Sequence, residues 1–343
     1  MTNELGIDRS GNNNTWTVNN MTLAADQVVD SPTNNFCTLN PVTLNAGDTH
    51  NSGGVAVLTE GNLTWDSVAS QTTYFSGAST FSMLTGKWYA EVRCDVHDGN
   101  GAFSPGIIFN FSENYKNHAQ PGEFAFSWGY HSSGLVAVNN SALAGTYASF
   151  TVGDIIGIAV DLDNDKFYVA KNNTWQEQNP SGGSGLSLSA YAGKEAVFAC
   201  GATNANRKSG TWNFGQDSSF AGEETAQGNQ DSNDIGDFYY TPPSGFLALC
   251  TSNLPAVAVT PSEHFNTILY TGDGTGTQAQ TGVGFEPDMI WVKSRNAANY
   301  HGIADQVRGV DKFLYPNDNL AEETNSTDYI NSFDSDGFTH GSN

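Results

Sequence analysis

The chain has 343 residues, with 36 acidic side chains against 13 basic ones and a net charge of −23 at pH 7. A surface that acidic repels nucleic acid and anionic membranes, and no basic patch offsets it. Its 38% hydrophobic and 12% aromatic content suffices for packed cores, so the chain is not a disordered one.

Nothing in the sequence approaches the roughly 18 apolar residues of a membrane span, and MTNELGIDRSGNNN at the N-terminus has no apolar signal core. Residues 1–35 are polar and Asn-rich and read as an extended N-terminal arm that docks on the next domain or on a neighbouring subunit. Residues 36–220 read as short strands between Gly, Asn and Asp turns, at 87–96, 106–111, 123–128, 135–138, 155–162, 166–170, 196–200 and 211–214. Their spacing predicts an antiparallel β-sandwich, in an all-β chain.

Within 155–162, Ile156, Ile158, Val160 and Leu162 alternate with small or acidic residues, the period of a strand with one buried face. Asn164-Asp165 then reverses the chain, since both residues tolerate positive φ. Asp161, Asp163 and Asp165 read as turn residues. A calcium site would draw roughly six to eight oxygens from several segments, and neither an EF-hand loop nor a glycine-rich repeat stands nearby. Residues 179–185 are a Ser/Gly surface loop.

Residues 221–250 have acidic, Gln/Asn-rich linker character and end in a docking segment that opens on Pro242-Pro243. Residues 251–343 read as a second, smaller β domain, with strands at 264–271 and 288–293 joined by the Gly-rich hairpin loop 272–276. Its last residues, DSDGFTHGSN, fall on a turn signal, which predicts a continuation or completion by a partner. The four cysteines, Cys37, Cys94, Cys200 and Cys250, lie far apart, which argues against zinc. Cys94 and Cys200 sit in apolar strands and read as buried free thiols.

Three motifs in order, TGKWYAEV (85–92), GDIIGIAVDLDNDKFYVAKNNTW (153–175) and WNFG (212–215), resemble the SPRY domain over about residues 60–216. The resemblance implies a concanavalin-like sandwich that binds ligands through loops and has no conventional enzymatic activity. The flanking blocks DSPTNNFCTLNP (30–41), YTPPSGF (240–246) and GFEPDMIWVK (284–293) resemble segments of tailed-bacteriophage structural proteins. In that group they occur in tail-fibre or other virion surface proteins. The resemblance implies a virion location on tail or capsid surface, other virion proteins and a host cell-surface receptor or glycan as partners, and host attachment as the role. A homo-oligomer is expected, since repeated copies add avidity. Capsid decoration or cementing is the alternative.

No GxSxG, HExxH or His-x-His pattern is present, and neither cofactor nor metal is expected. The enzyme alternative is a glycosidase or depolymerase, because concanavalin-like sandwiches also carry glucanases. Glu91 and Asp95 share a strand face, but Arg93 stands between them where a two-carboxylate site would place an acid. Loops at 114–118, 128–134 and 172–175 mix aromatic rings with His, Asn and Ser, the chemistry of a sugar-binding surface. The candidate ligand-binding residues are Tyr115, His118, Tyr130, His131, Asn173 and Trp175. Trp128 and Trp175 suit the sandwich core as well.

Overall fold

Runs of Val, Ile, Phe, Tyr and Trp between turn residues carry strand propensity, and here they find partners. The computed structural model describes residues 5–8, 10–19, 21, 27–44, 56–67, 75–110, 120–202, 206–255, 259–310, 312–324 and 329–341. Among these residues every regular element is a strand or a short 3₁₀ turn, and no helix is long and apolar enough to cross a membrane. The chain divides into two units, Met1–Leu254 and Pro255–Asn343.

Strands are numbered in chain order. In the first unit one sheet runs β1 (Val57–Thr59), β2 (Thr64–Asp66), β14 (Lys208–Asn213), β4 (Lys87–His97), β9 (Ile155–Asp161), β10 (Lys166–Lys171) and β11 (Thr174–Trp175). Strand β12 (Leu186–Ser187) also pairs with β10, and β15 (Leu247–Ala248) with β4. The second sheet runs β3 (Phe75–Ala78), β13 (Ala196–Ala202), β5 (Phe103–Phe109), β6 (Ser127–His131), β7 (Leu135–Val138) and β8 (Ser141–Ala142). Alternate residues share a face. Trp88, Ala90 and Val92 of β4 and Ile156, Ile158 and Val160 of β9 therefore meet Phe103, Ile107, Trp128 and Phe198 of the other sheet in one core. The result is the antiparallel all-β sandwich expected from the sequence.

The turn after β9 is built from its aspartates. Asp161 accepts from the Asn164 backbone at 3.0 Å and pairs with Lys87 at 3.0 Å, while Asp163 accepts from the Gly86 backbone at 2.8 Å. Asp165 supplies the left-handed residue, at φ 54°. All four cysteines are buried and free, and burial pushes the thiols of Cys94 and Cys200 up to about 12.

Strand β9 is buried on both faces, not one. Its second face lies under residues from the 235–250 stretch, where Phe238, Phe246, Ala248 and Cys250, together with Phe36, pack on Tyr89, Ala159 and Tyr168. Residues 221–250, read from sequence as linker and docking segment, thus include part of this covering layer. Strand β15 runs parallel to β4, in the place that β14 leaves after Asn213. The strand expected at 123–128 begins only at Ser127. Gly122 and Phe126, at φ 95° and 66°, fold residues 120–126 back across the sheet. Gly129 makes room for them, since a Cβ there would meet the Pro121 carbonyl at 2.0 Å.

The second unit has three small sheets: β16 (Gln278–Thr281), β22 (Gly337–His340) and β21 (Ile330–Asp334); β17 (Met289–Val292) and β18 (Gly302–Asp305); β19 (Lys312–Phe313) and β20 (Glu323–Thr324). Ile290, Ala304, Phe313, Ile330 and Phe338 form its core. The strand expected at 288–293 corresponds to β17. Residues 264–271 form no strand, and the glycine loop 272–276 leads into β16, which pairs with β22. Phe265 and Leu269 stay exposed, and strand propensity without a neighbouring ladder counts for little.

One carboxylate ties the covering layer of the first unit to its sheet. Glu91 is wholly buried. Its Oε1 accepts from the Tyr240 backbone at 2.7 Å and the Tyr89 hydroxyl at 3.1 Å. Its Oε2 accepts from the Tyr239 backbone at 2.8 Å and from Asn213 Nδ2 at 3.2 Å. Gly157 lies opposite Glu91 in register, and a Cβ there would stand 2.9 Å from the Tyr89 hydroxyl. Burial pushes the Glu91 carboxyl from the ordinary 4.5 to about 7, against the pull of these four donors.

Because that pKa is raised, the fold favours the neutral form. The contribution, about 3 kcal/mol, is fully present below the unfolded pKa and is lost as pH rises through the folded one. A glutamine at this position would turn its N–H₂ toward one backbone donor and orphan it, at about 1–3 kcal/mol. Glu91→Gln is therefore expected to be less stable than wild type near pH 5, with the gap closing or reversing toward about pH 8, in urea unfolding across pH. Parallel pH profiles for the two proteins would contradict this.

Candidate functional site: an uncharged lip at one end of the sandwich

Three stretches meet at one end of the first unit. The β6–β7 turn folds back at Gly134 (φ 82°), whose N–H donates to the His131 carbonyl at 2.9 Å. Residues 143–154 cross beside it, Phe150 donating to the Ser132 carbonyl at 2.9 Å. The turn after β10 rises on the other side through Asn172 and Asn173, both left-handed at φ 45° and 62°, as the Asn side chain tolerates. Asn172 Nδ2 donates to Asp154 at 2.7 Å, and Lys171 Nζ reaches the Ser149 carbonyl at 2.8 Å and Asp154 at 3.0 Å. Burial opposes ionisation of Asp154, but the Thr151 amide, Asn172 and Lys171 hold its carboxyl below the usual range. Two of the three loops singled out by sequence thus converge. The third, at 114–118, lies outside the described residues, and Tyr115 and His118 with it.

The other four candidates divide between inside and outside. Tyr130 and His131, expected at a ligand surface, are packed inside. The alternation of β6 sends Trp128 and Tyr130 into the core, and His131 outward beneath residues 120–124. The Tyr130 hydroxyl donates to the Ala148 carbonyl, its ring packs on Phe150 at 5.2 Å between centroids, and burial pushes its phenol up. It positions the 143–154 segment. His131 Nε2 sits 3.3 Å from the Pro121 carbonyl, and burial lowers its pKa. Trp175 is half-buried, edge-on to Tyr168 at 6.4 Å. Asn173 is exposed, with its side-chain amide free of hydrogen bonds to the described residues.

Sequence reasoning missed what fastens the segment. Gln176 Oε1 accepts from the Ala148 backbone at 2.9 Å and Glu177 Oε1 from the Thr146 backbone at 2.6 Å. It also missed the character of the surface so displayed. Its exposed residues include Ser133, Ser149, Thr151, Val152, Asn173 and Thr174, while Asp154, Lys171 and Glu177 are engaged in holding the segment. From residue 124 to residue 153 there is no Asp, Glu, Lys or Arg, in a chain that is 14% charged. That silence was the available signal. Hydroxyls, an amide and one apolar side chain suit a neutral polar ligand, which meets less of the repulsion the remaining surface exerts on anions.

The carboxylates of the glycosidase alternative are engaged elsewhere. Glu91 is sealed beneath Tyr239 and Tyr240. Asp95 pairs with Arg93 at 2.6 Å and accepts from the Thr211 hydroxyl at 2.6 Å, burial raising its carboxyl. Among the described residues no three His, Cys, Asp or Glu side chains gather as a metal-binding group.

A domain of unknown function, DUF7483, matches residues 260–343. No curated protein matches the chain. Among solved structures, the SPRY domain of human HERC1 is 16% identical at a TM-score of 0.37, over 46% of this chain and 91% of that one. A human SPRY domain is 15% identical at 0.36, over 46% and 93%, and the TRIM65 PSpry domain 14% identical at 0.35, over 52% and 92%. At such values the sandwich rests on the strand pairing above, and function on the site itself.

Tyr130→Phe keeps the ring and removes the bond to Ala148. It is expected to cost about 1 kcal/mol in thermal unfolding and to speed limited proteolysis within 143–153. An unchanged melting curve and an unchanged cleavage pattern would contradict a positioning role for Tyr130.

Proposed function

We propose that this chain is a non-enzymatic, tail-fibre-like protein of a virion surface that engages a host cell-surface receptor or glycan through the uncharged lip. The observation that carries the reading is the convergence of two polar turns and the 143–154 segment into one exposed surface of uncharged residues, the nearby Asp154, Lys171 and Glu177 being engaged in holding it, on a protein of net charge −23. The flanking blocks that resemble tailed-phage virion proteins support the location. A lip held by backbone and side-chain hydrogen bonds loses little freedom when it binds. Weak single contacts suffice where many copies sit on one particle. The acidic remainder keeps those copies soluble and apart.

Fluorophore-labelled full-length chain is expected to stain host cells. The double variant Val152→Glu, Asn173→Ala should stain about tenfold less at equal concentration, the loss of roughly 1.4 kcal/mol. Equal staining by a variant that melts like wild type would remove the lip from the account. Gold-labelled antibody over the particle head, with no staining of cells, would replace attachment by capsid decoration.

A further inference from the structure

The second unit carries its own exposed platform. Strand β17 alternates cleanly: Ile290 and Val292 turn toward the core, while Met289 and Trp291 stand 58% and 60% exposed on the other face. Trp291 lies opposite Ile303 on β18, and Ile303 bridges to Leu314, so an apolar row crosses the hairpin and the strand beside it. The His301 ring stands 6.1 Å from Trp291, and Tyr300 next to it is exposed.

Charge completes the platform. Between Asp288 and Asp305, which faces Met289 across the hairpin and is paired with Arg308, no Asp or Glu occurs, and the two cations in that stretch, Lys293 and Arg295, are both exposed. Neither has an ion-pair partner among the described residues, whereas Arg93, Arg207 and Arg308, the other described arginines, are each paired. In a chain with 36 acidic residues, two cations without ion-pair partners, two and four positions along the chain from an exposed indole, are out of keeping with the rest of the surface.

We propose that this face of the β17–β18 hairpin binds an acidic, carboxylate-bearing carbohydrate. An indole lying open on a sheet offers its face to the C–H side of a sugar ring. Guanidinium and ammonium groups beside it take the carboxylate, Arg in two parallel hydrogen bonds. Exposed Asn296 and Asn299 supply donors and acceptors for hydroxyls. A protein partner fits less well, because the cores of such interfaces are broad and depleted in Lys, and the apolar row here is narrow. The platform belongs to the second unit and the lip to the first, and the two readings stand or fall independently.

The test uses the full chain and immobilised polygalacturonate, alginate and dextran, at low salt with a chelator present. Wild type is expected to bind one or both polyuronates and not dextran, with binding that weakens as salt rises. Trp291→Ala should raise the Kd about tenfold, and Lys293→Gln with Arg295→Gln should do the same and flatten the salt dependence. Val152→Glu with Asn173→Ala should leave this binding unchanged. All these positions are exposed, and thermal melts matching wild type establish that the variants fold. Failure to bind either polyuronate overturns the proposal, as does equal binding by wild type and both platform variants. Self-association abolished by Trp291→Ala, with no polyuronate binding, would overturn it in favour of a second copy as the occupant.

Discussion

The architecture of the first unit turns on one buried carboxylate. Glu91 cannot be left in the interior without donors, because an unpaired buried polar group of this kind costs several kcal/mol. Tyr89 supplies one donor from the same strand, and the others come from far along the chain: Asn213 from β14, and the backbone of Tyr239 and Tyr240 from the covering layer. Gly157 of β9 provides the space in which the Tyr89 hydroxyl reaches it. Tyr89 and Glu91 belong to TGKWYAEV, Gly157 to the GDIIGIAVD stretch and Asn213 to WNFG. The three motifs that carry the SPRY resemblance are thus three walls of one hydrogen-bonding site, and their order in sequence reflects β4, β9 and β14 lying side by side.

That constraint decides where the unit can bind. With β4 and β9 covered on both faces, neither face of the sheet's centre is open, and the exposed turns project from the ends, where the proposed recognition is placed. At one end the turns and the 143–154 segment are fastened by Tyr130, Gln176, Glu177 and Lys171. Tyr130, which looks like a binding residue in the sequence, serves here to hold the 143–154 segment in place. The second unit follows another plan. Its core is small, and part of its apolar and cationic chemistry faces outward on the β17–β18 hairpin.

Period-two patterning made the sandwich legible. The strand at 135–138 matches the sequence reading residue for residue, and β4, β9, β10 and β13 match it within a few residues. The covering layer was not legible, because what fastens residues 239 and 240 is backbone N–H, which leaves no mark on residue type. For the same reason Glu91 looked like a possible catalytic acid: its acceptor role depends on partners about 150 positions away, which no local pattern reveals. Tyr130 and His131 were legible as part of a strand end. Which face each takes, and that residues 120–124 lie over the outer one, depends on Gly129 admitting Pro121. At 264–271 propensity was read without a partner strand, and the partner was missing. The lip was visible in the sequence as thirty residues without a charged side chain, a signal of absence that motif reading passes over.

The stretch around residues 239 and 240 is part of the sandwich, bonded to it through Glu91. Native-state hydrogen exchange on the full chain addresses it at single amides. The amides of Tyr239 and Tyr240 should exchange only with the global opening that frees β4 and β9, and should be protected to the same free energy. Exchange of those two amides at the rate of exposed loops, while β4 and β9 stay protected, would show that the stretch is peripheral and that the account is wrong.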